Sequence, residues 1–165
     1  MLLVLALIYD LAVTALDVKD AFLMVSQNVI LSVKIPQWIR RWTGSSNTHW
    51  LLKRCLPGQR NAALRWHQQI GQLCEQAELE AFPGAPTIFR HRDVNRKVFV
   101  DIHVDDILLV CKPADVEWFQ SRVGVTLTMK VDGPHMPGDG SQVMYLKKRM
   151  TMKPGGILVL QNLLG

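Results

Sequence analysis

Two runs of apolar, largely β-branched residues meet at a pair of aspartates in the segment KVFVDIHVDDILLVCK, residues 97–112. This pattern predicts two strands joined by a tight turn, with Asp105 and Asp106 at the turn. Burying a carboxylate costs free energy unless a cation or a hydrogen-bond donor lies beside it. We therefore expect the two carboxylates at one edge of a sheet, above an apolar floor.

The rest of the chain predicts an α+β fold in which one antiparallel sheet is backed by helices. The other expected strands are VTALDV (13–18), TIFRH (87–91), VTLTMKV (125–131) and QVMYLKKRMTM (142–152). Helices are expected over 61–79 and 113–123, and loops over 40–50 and 132–141. Residues 2–13 are almost all apolar and fit either a buried helix or a buried strand. The length of 165 residues suits one domain over 1–165.

Cysteine usage and the N-terminus bear on the cellular compartment. The three cysteines show no Cys-x-x-Cys spacing, which argues against a disulfide framework or a structural zinc site. The N-terminal MLLVLALI lacks a preceding basic residue and a following cleavage site, and it is too short to span a membrane. We expect a cytoplasmic or nuclear protein with no signal peptide and no membrane partner. Met1 fits a true start and also an arbitrary position inside a longer gene.

Basic residues and tryptophans are interleaved in the middle of the chain, whose net charge is +5. Residues 30–97 contain eleven Lys or Arg against four acids, and Trp38, Trp42, Trp50 and Trp66 lie among them. Such a segment suits a phosphate backbone with stacked bases. The alternative is a solvated basic face whose tryptophans belong to the core, and composition alone favours this alternative.

A third carboxylate, Asp17, ends the strand VTALDV. Together with Asp105 and Asp106 it would provide the oxygen ligands that Mg²⁺ prefers, in the manner of a two-metal site for phosphoryl transfer. The alternative is that adjacent aspartates in a turn are solvated turn formers.

Two motifs and the segments between and after them resemble a known family. LDVKDAFL (16–23) and HVDDILLV (103–110) are similar to motifs A and C of reverse transcriptases, in particular those of copia-type LTR retrotransposons, which read roughly LDVKTAFLNG and YVDDILI. LPGQRNAALRWHQQI (56–70) resembles the family's LYGLKQAPRQWYKKL. Further similar segments, in the same order, are AFPGAPTIFRH (81–91), MKVDG (129–133), MYLKKRM (144–150) and GGILVLQ (155–161).

The resemblance implies a polymerase palm with a ferredoxin-like antiparallel sheet, and fingers and thumb that are truncated in this fragment. Its implied activity is that of an RNA-directed DNA polymerase from a retrotransposon polyprotein. Template-primer, deoxynucleoside triphosphates and the other polyprotein segments would be the partners. Asp17 and Asp105 would bind Mg²⁺ or Mn²⁺, and Asp106 would support them as the third catalytic carboxylate.

Further roles follow from the same resemblance. Phe22, five residues after Asp17, would act as a steric gate against a ribose 2′-hydroxyl, although a core aromatic is equally compatible with this position. The implied nucleotide-binding residues are Phe22, Val18 and His103, and the implied nucleic-acid-binding residues are Arg60, Asn61 and Arg65.

Departures from the family pattern keep other functions open. His103 replaces Tyr, Asn61 replaces Gln, and Lys147 stands at a position where the family has Gly. These changes predict weak activity of the fragment. The alternatives are an inactive retroelement relic that at most binds nucleic acid, and a metal-dependent nuclease that uses the same carboxylates.

Overall fold

The computed structural model describes residues 1–154, 156 and 158–162. The helices are α1 (Leu2–Tyr9), α2 (Gln37–Thr43), α3 (Ala62–Gln76) and α4 (Ala114–Arg122), with a 3₁₀ helix at Ala21–Met24. The strands are β1 (Ala12–Val18), β2 (Ser32–Lys34), β3 (His49–Leu51), β4 (Leu79–Phe82), β5 (Ala85–His91), β6 (Phe99–His103), β7 (Asp106–Cys111), β8 (Met129–His135), β9 (Gln142–Tyr145), β10 (Lys148–Met152) and β11 (Leu158–Asn162).

The main sheet has six antiparallel strands in the order β4-β5-β6-β7-β1-β8. Within it, β1–α3–β6–β7–α4–β8 is a split β-α-β arrangement, because β7 lies between β1 and β6 and β1 lies between β7 and β8. The predicted α+β class and ferredoxin-like palm sheet are therefore confirmed. The expected single sheet is wrong, since β9–β11 form a second sheet and β2–β3 a third.

Both faces of the main sheet are covered, which explains why β1 is buried almost throughout. On one face, Leu16 and Leu109 pack in a cluster with Trp66 and Ile70 of α3 and Phe119 of α4. The 15-residue α3 buries residues at helical spacing, as its sequence predicts. This face provides a rigid floor beneath the β6–β7 hairpin.

The opposite face packs against α1 and the small β9–β11 sheet. Val13 and Ala15 of β1 lie there with Leu2 and Ala6 of α1 and Met150 of β10. Residues 2–9 thus form a helix, which the sequence left undecided. No described helix is both long and apolar enough to cross a membrane.

Several predicted boundaries are wrong for identifiable reasons. The strand expected over 125–131 begins only at Met129, where pairing with Val18 starts, and it continues to His135 through the expected loop. Gly133, at φ 128°, allows this because a Cβ there would lie 3.0 Å from the carbonyl oxygen of Val13. The expected strand 142–152 is a hairpin with a turn at Leu146 and Lys147.

Two further segments differ from expectation. The predicted loop 40–50 contains the end of α2 and the start of β3, so that only the residues between them are irregular. The FPGAP break is a tight turn between β4 and β5. GGILVLQ contributes to β11, while residues 155 and 157 lie outside the described residues.

Candidate active site

Four polar side chains form a row across the end of the main sheet. His103 of β6 pairs with Asp106 of β7, Asp106 pairs with Asp17 of β1, and Asp17 pairs with Lys130 of β8. Directly opposed residues in antiparallel strands point to the same face, with Cβ atoms about 4.5–5.5 Å apart. Two of the three predicted carboxylates are therefore neighbours on one face.

The third carboxylate belongs to the turn itself. Asp105 is exposed, and its carbonyl oxygen accepts a hydrogen bond of 2.8 Å from the backbone N–H of Val18. This bond joins the turn to the end of β1 next to the Asp17–Asp106 pair, because Val18 directly follows Asp17 and Asp105 directly precedes Asp106. The hairpin predicted from the sequence thus brings motifs A and C of the resemblance together.

The turn has a strained backbone that a buried tryptophan holds in place. Val104 has φ 55°, a conformation that is a genuine outlier for a β-branched residue. Its carbonyl oxygen accepts a 2.6 Å hydrogen bond from the indole Nε1 of Trp66, a side chain that is 1 % exposed. Strain at a single position persists only when the surrounding structure enforces it. Trp66 on α3 provides that enforcement.

The carboxylates repel one another electrostatically. Desolvation raises the pKa of Asp106, and the charges of Asp105 and Asp17 raise it further, while His103 lowers it. On the same side of the sheet, burial and then Asp101 and Asp106 raise the pKa of Tyr145, whose hydroxyl lies 3.5 Å from the Asp101 carbonyl oxygen. Such mutual repulsion is relieved by a cation.

A divalent metal fits the chemistry of this donor set. The three carboxylates offer oxygen ligands alone, which suits a hard cation such as Mg²⁺ or Mn²⁺. Burial, and then the charges of Asp105 and Asp17, raise the pKa of Asp106, and a cation bound among the carboxylates would counteract those two charges. Among the described residues, no group of three or more His, Cys, Asp or Glu side chains is already arranged to hold a metal ion.

The predicted nucleotide-binding residues lie at the end of β6, at the end of β1 and in the 3₁₀ helix that follows β1. His103 is exposed and pairs with Asp106. Phe22 is partly buried in the 3₁₀ helix, where it packs against the core cluster that contains Trp66 and Ile70 of α3. The side chain of Val18 is 2 % exposed and belongs to that core.

The predicted nucleic-acid-binding residues lie together elsewhere. Arg60, Asn61 and Arg65 line one cavity of about 200 Å³ near the start of α3, along with Gln27 and Gln59. The Nε and Nη1 atoms of Arg65 are shielded from solvent and have no hydrogen-bond partner among the described residues. A guanidinium in this state has donors available for an anionic oxygen.

Two residues were not predicted from the sequence to belong to this site. Lys130 completes the row beside Asp17, and it lies in MKVDG, one of the segments that resemble the family. Trp66 matches a tryptophan of LYGLKQAPRQWYKKL, which is the signal that could have identified it. Its hydrogen bond to a turn 38 residues away in sequence is not visible in any local pattern.

A comparison with models of protein families identifies the family of this chain. A family model described as reverse transcriptase (RNA-dependent DNA polymerase) matches residues 1–136. The chain belongs to the reverse transcriptase family. No curated protein matches it.

The match agrees with the family expected from the sequence, and it shows which part of the chain the family model covers. It includes LDVKDAFL, the segment 56–70 and HVDDILLV, and therefore all three carboxylates and every predicted binding residue. The similar segments from residue 137 onward lie outside the matched range. The reverse transcriptase palm thus accounts for the main sheet, and β9–β11 follow it in the chain.

Proposed function

We propose that this chain is the palm of a copia-type RNA-directed DNA polymerase, whose Asp17, Asp105 and Asp106 bind two divalent metal ions for nucleotidyl transfer. The observation that carries the proposal is the direct pairing of Asp17 with Asp106, beside a turn that presents Asp105. Family membership supplies the reaction class.

Asp17 and Asp105 would hold the metal ions, with Asp106 as a supporting ligand. Bound Mg²⁺ or Mn²⁺ would supply Lewis-acid stabilisation of the charge that develops at the α-phosphate. His103 lies beside Asp106 and lowers its pKa, which favours the ionised carboxylate that ligation requires. Lys130 lies on the other side of Asp17, where its ammonium group suits a phosphate group.

Substrate positioning would involve the residues around the carboxylates. Phe22 is partly exposed near the end of β1, where its ring would exclude a 2′-hydroxyl and select deoxynucleotides. Arg60, Asn61 and the unpartnered donors of Arg65 would contact the phosphate backbone of the template. The substrates would be a template-primer and deoxynucleoside triphosphates, and the enzyme would act inside the cell.

Primer extension tests the proposal. The chain would be assayed alone and joined to the fingers and thumb of a copia-type relative, with Mg²⁺ or Mn²⁺, a primed RNA template and labelled deoxynucleotides. We expect incorporation in the joined protein, and its loss in Asp17→Asn and Asp105→Asn. Asp10→Asn serves as the control, because Asp10 lies beyond the opposite end of β1 and Asn tolerates its φ of 49°.

Three outcomes would contradict the proposal. Incorporation that survives Asp17→Asn and Asp105→Asn together would exclude the carboxylates as metal ligands. A joined protein that incorporates nothing at any metal concentration would favour an inactive relic. Cleavage of the template without added deoxynucleotides would instead indicate a nuclease.

A further inference from the structure

Three tryptophans of the hairpin formed by β2, α2 and β3 are exposed. The exposed fractions are 69 % for Trp38, 83 % for Trp42 and 48 % for Trp50, whereas Trp66 is 1 % exposed. The interpretation of the tryptophans as core residues is therefore correct only for Trp66. Large aromatic side chains normally bury most of their surface. Their grouping on one hairpin indicates a binding surface.

The hairpin presents these rings on a defined framework. Trp38 and Trp42 are four residues apart and share one face of α2, a helix that buries none of its residues. Trp50 lies on β3 opposite Val33 of β2. A backbone hydrogen bond of 2.9 Å from Ile35 to Thr48 closes the hairpin next to α2.

The segment of the chain that carries the rings contains basic residues and no acidic ones. From Ala21 to Cys74 the sequence contains no Asp or Glu, and it contains seven Lys or Arg. Lys34, Arg41 and Lys53 are exposed, and none of them takes part in the four ion pairs between described residues. Arg41 is three residues from Trp38 on α2, so that a cation adjoins the aromatic face.

We propose that this tryptophan surface, made of Trp38, Trp42, Trp50, Lys34 and Arg41, binds single-stranded nucleic acid. The indole rings would stack on unpaired bases, and the two cations would contact phosphates. A duplex fits less well because its bases are already stacked and offer no free face. An apolar protein partner fits less well because it would desolvate cations that have no ion-pair partner among the described residues.

The proposal goes beyond the polymerase and does not depend on it. The tryptophan surface shares no residue with the carboxylate row or with the cavity lined by Arg60 and Arg65. Asp17→Asn, which is expected to abolish nucleotide incorporation, should therefore leave this binding unchanged. Failure of either proposal can thus be distinguished from failure of the other.

Fluorescence anisotropy with the 165-residue chain tests the surface. The probes are fluorescein-labelled oligo(dT) and oligo(U) twelve-mers and a blunt DNA duplex of equal length. We expect tighter binding of either single strand than of the duplex, with quenching of tryptophan emission. Replacing Trp38, Trp42 and Trp50 by Ala should weaken binding by about fivefold or more for each ring.

A matched control and a salt series complete the test. Val4→Ala with Ile8→Ala removes two exposed apolar side chains at the same four-residue spacing on α1, and it should leave affinity unchanged. Arg41→Gln should reduce the slope of log affinity against log salt by about 0.7. If the triple variant fails to fold by circular dichroism, Trp42→Ala alone, at the most exposed ring, gives the same test.

Three results would overturn the proposal. The first is a triple tryptophan variant that binds single strands as tightly as the α1 control. The second is duplex binding as tight as single-strand binding. The third is a triple tryptophan variant that differs from the wild-type chain in sedimentation but not in binding of single strands. That result would show that the tryptophan surface mediates self-association. Preference for oligo(U) or for oligo(dT) would identify the strand as RNA or DNA, and either supports the proposal.

Discussion

Replacing Trp66 by Phe tests how the strained turn is held in place. The substitution keeps an aromatic ring in the core but removes the N–H that binds the Val104 carbonyl oxygen at 2.6 Å. An acceptor left unpaired in a partly buried site costs about 1–3 kcal/mol. The smaller ring forfeits roughly 2 kcal/mol more, at ~0.8 kcal/mol per carbon-sized group. We therefore expect the free energy of unfolding to fall by about 3–5 kcal/mol in urea denaturation.

The loss of stability alone would not establish a role in the site. Without the hydrogen bond, the backbone of Val104 should leave φ 55° and displace Asp105. We expect this displacement to weaken Mn²⁺ binding about tenfold, which corresponds to ~1.4 kcal/mol. This value lies within the range of strain energy that one residue in such a conformation stores. Mn²⁺ titration by electron paramagnetic resonance measures the affinity, and amide resonances of 104–106 report the turn. Trp118→Phe is the control, because Trp118 packs under Arg96 and lies away from the turn.

A second substitution should rescue the first. Glycine adopts φ 55° without strain, so Val104→Gly in the Trp66→Phe background should restore Mn²⁺ affinity even though stability stays low. The reasoning is refuted if Trp66→Phe leaves metal affinity and the amide resonances unchanged. It is equally refuted if Val104→Gly fails to restore the affinity.

Three other predictions follow from single residues. Asp106 has a raised pKa in the folded state, so its ionisation lowers the stability of the fold as pH rises. Asp106→Asn should therefore increase the midpoint of unfolding at pH 7. In a pH series this gain should vanish below the ordinary pKa of 3.8, where both states bind the proton. Lys147 has φ 61°, so Lys147→Gly should stabilise the chain by about 1 kcal/mol in urea, whereas Lys148→Gly in β10 should destabilise it. Burial raises the pKa of Cys74 and of Cys111 to about 12, so neither thiol should react with a disulfide reagent at pH 8 until urea unfolds the protein; fast labelling of either in the native state would contradict their burial.

The hairpin and its carboxylates were predictable because their signals are local. Runs of apolar, largely β-branched residues define β6 and β7, and the turn between them places Asp105 without knowledge of the rest of the chain. The grouping of Asp17 with Asp105 and Asp106 in one site was expected from the resemblance to motifs A and C of the family. The register that pairs Asp17 with Asp106, however, depends on how β1 inserts between β7 and β8, which no local pattern specifies.

Features that depend on distant contacts were missed for the same reason. The start of β8 is set by its pairing with Val18, and its continuation depends on the fit of Gly133 against β1. The hydrogen bond from Trp66 joins α3 to a turn far along the chain. Exposure of Trp38 and Trp42 was one of two open interpretations, because composition cannot tell an exposed aromatic from a buried one.

Binding of a metal ion to the three carboxylates is the central claim, and Mn²⁺ titration of the chain followed by electron paramagnetic resonance tests it most directly. We expect the free Mn²⁺ signal to fall on addition of the wild-type chain and of Asp10→Asn. Asp17→Asn, Asp105→Asn and Asp106→Asn should each weaken that binding, and excess Mg²⁺ should compete for the site. Equal Mn²⁺ binding by the wild-type chain and all four variants would contradict a metal site at Asp17, Asp105 and Asp106.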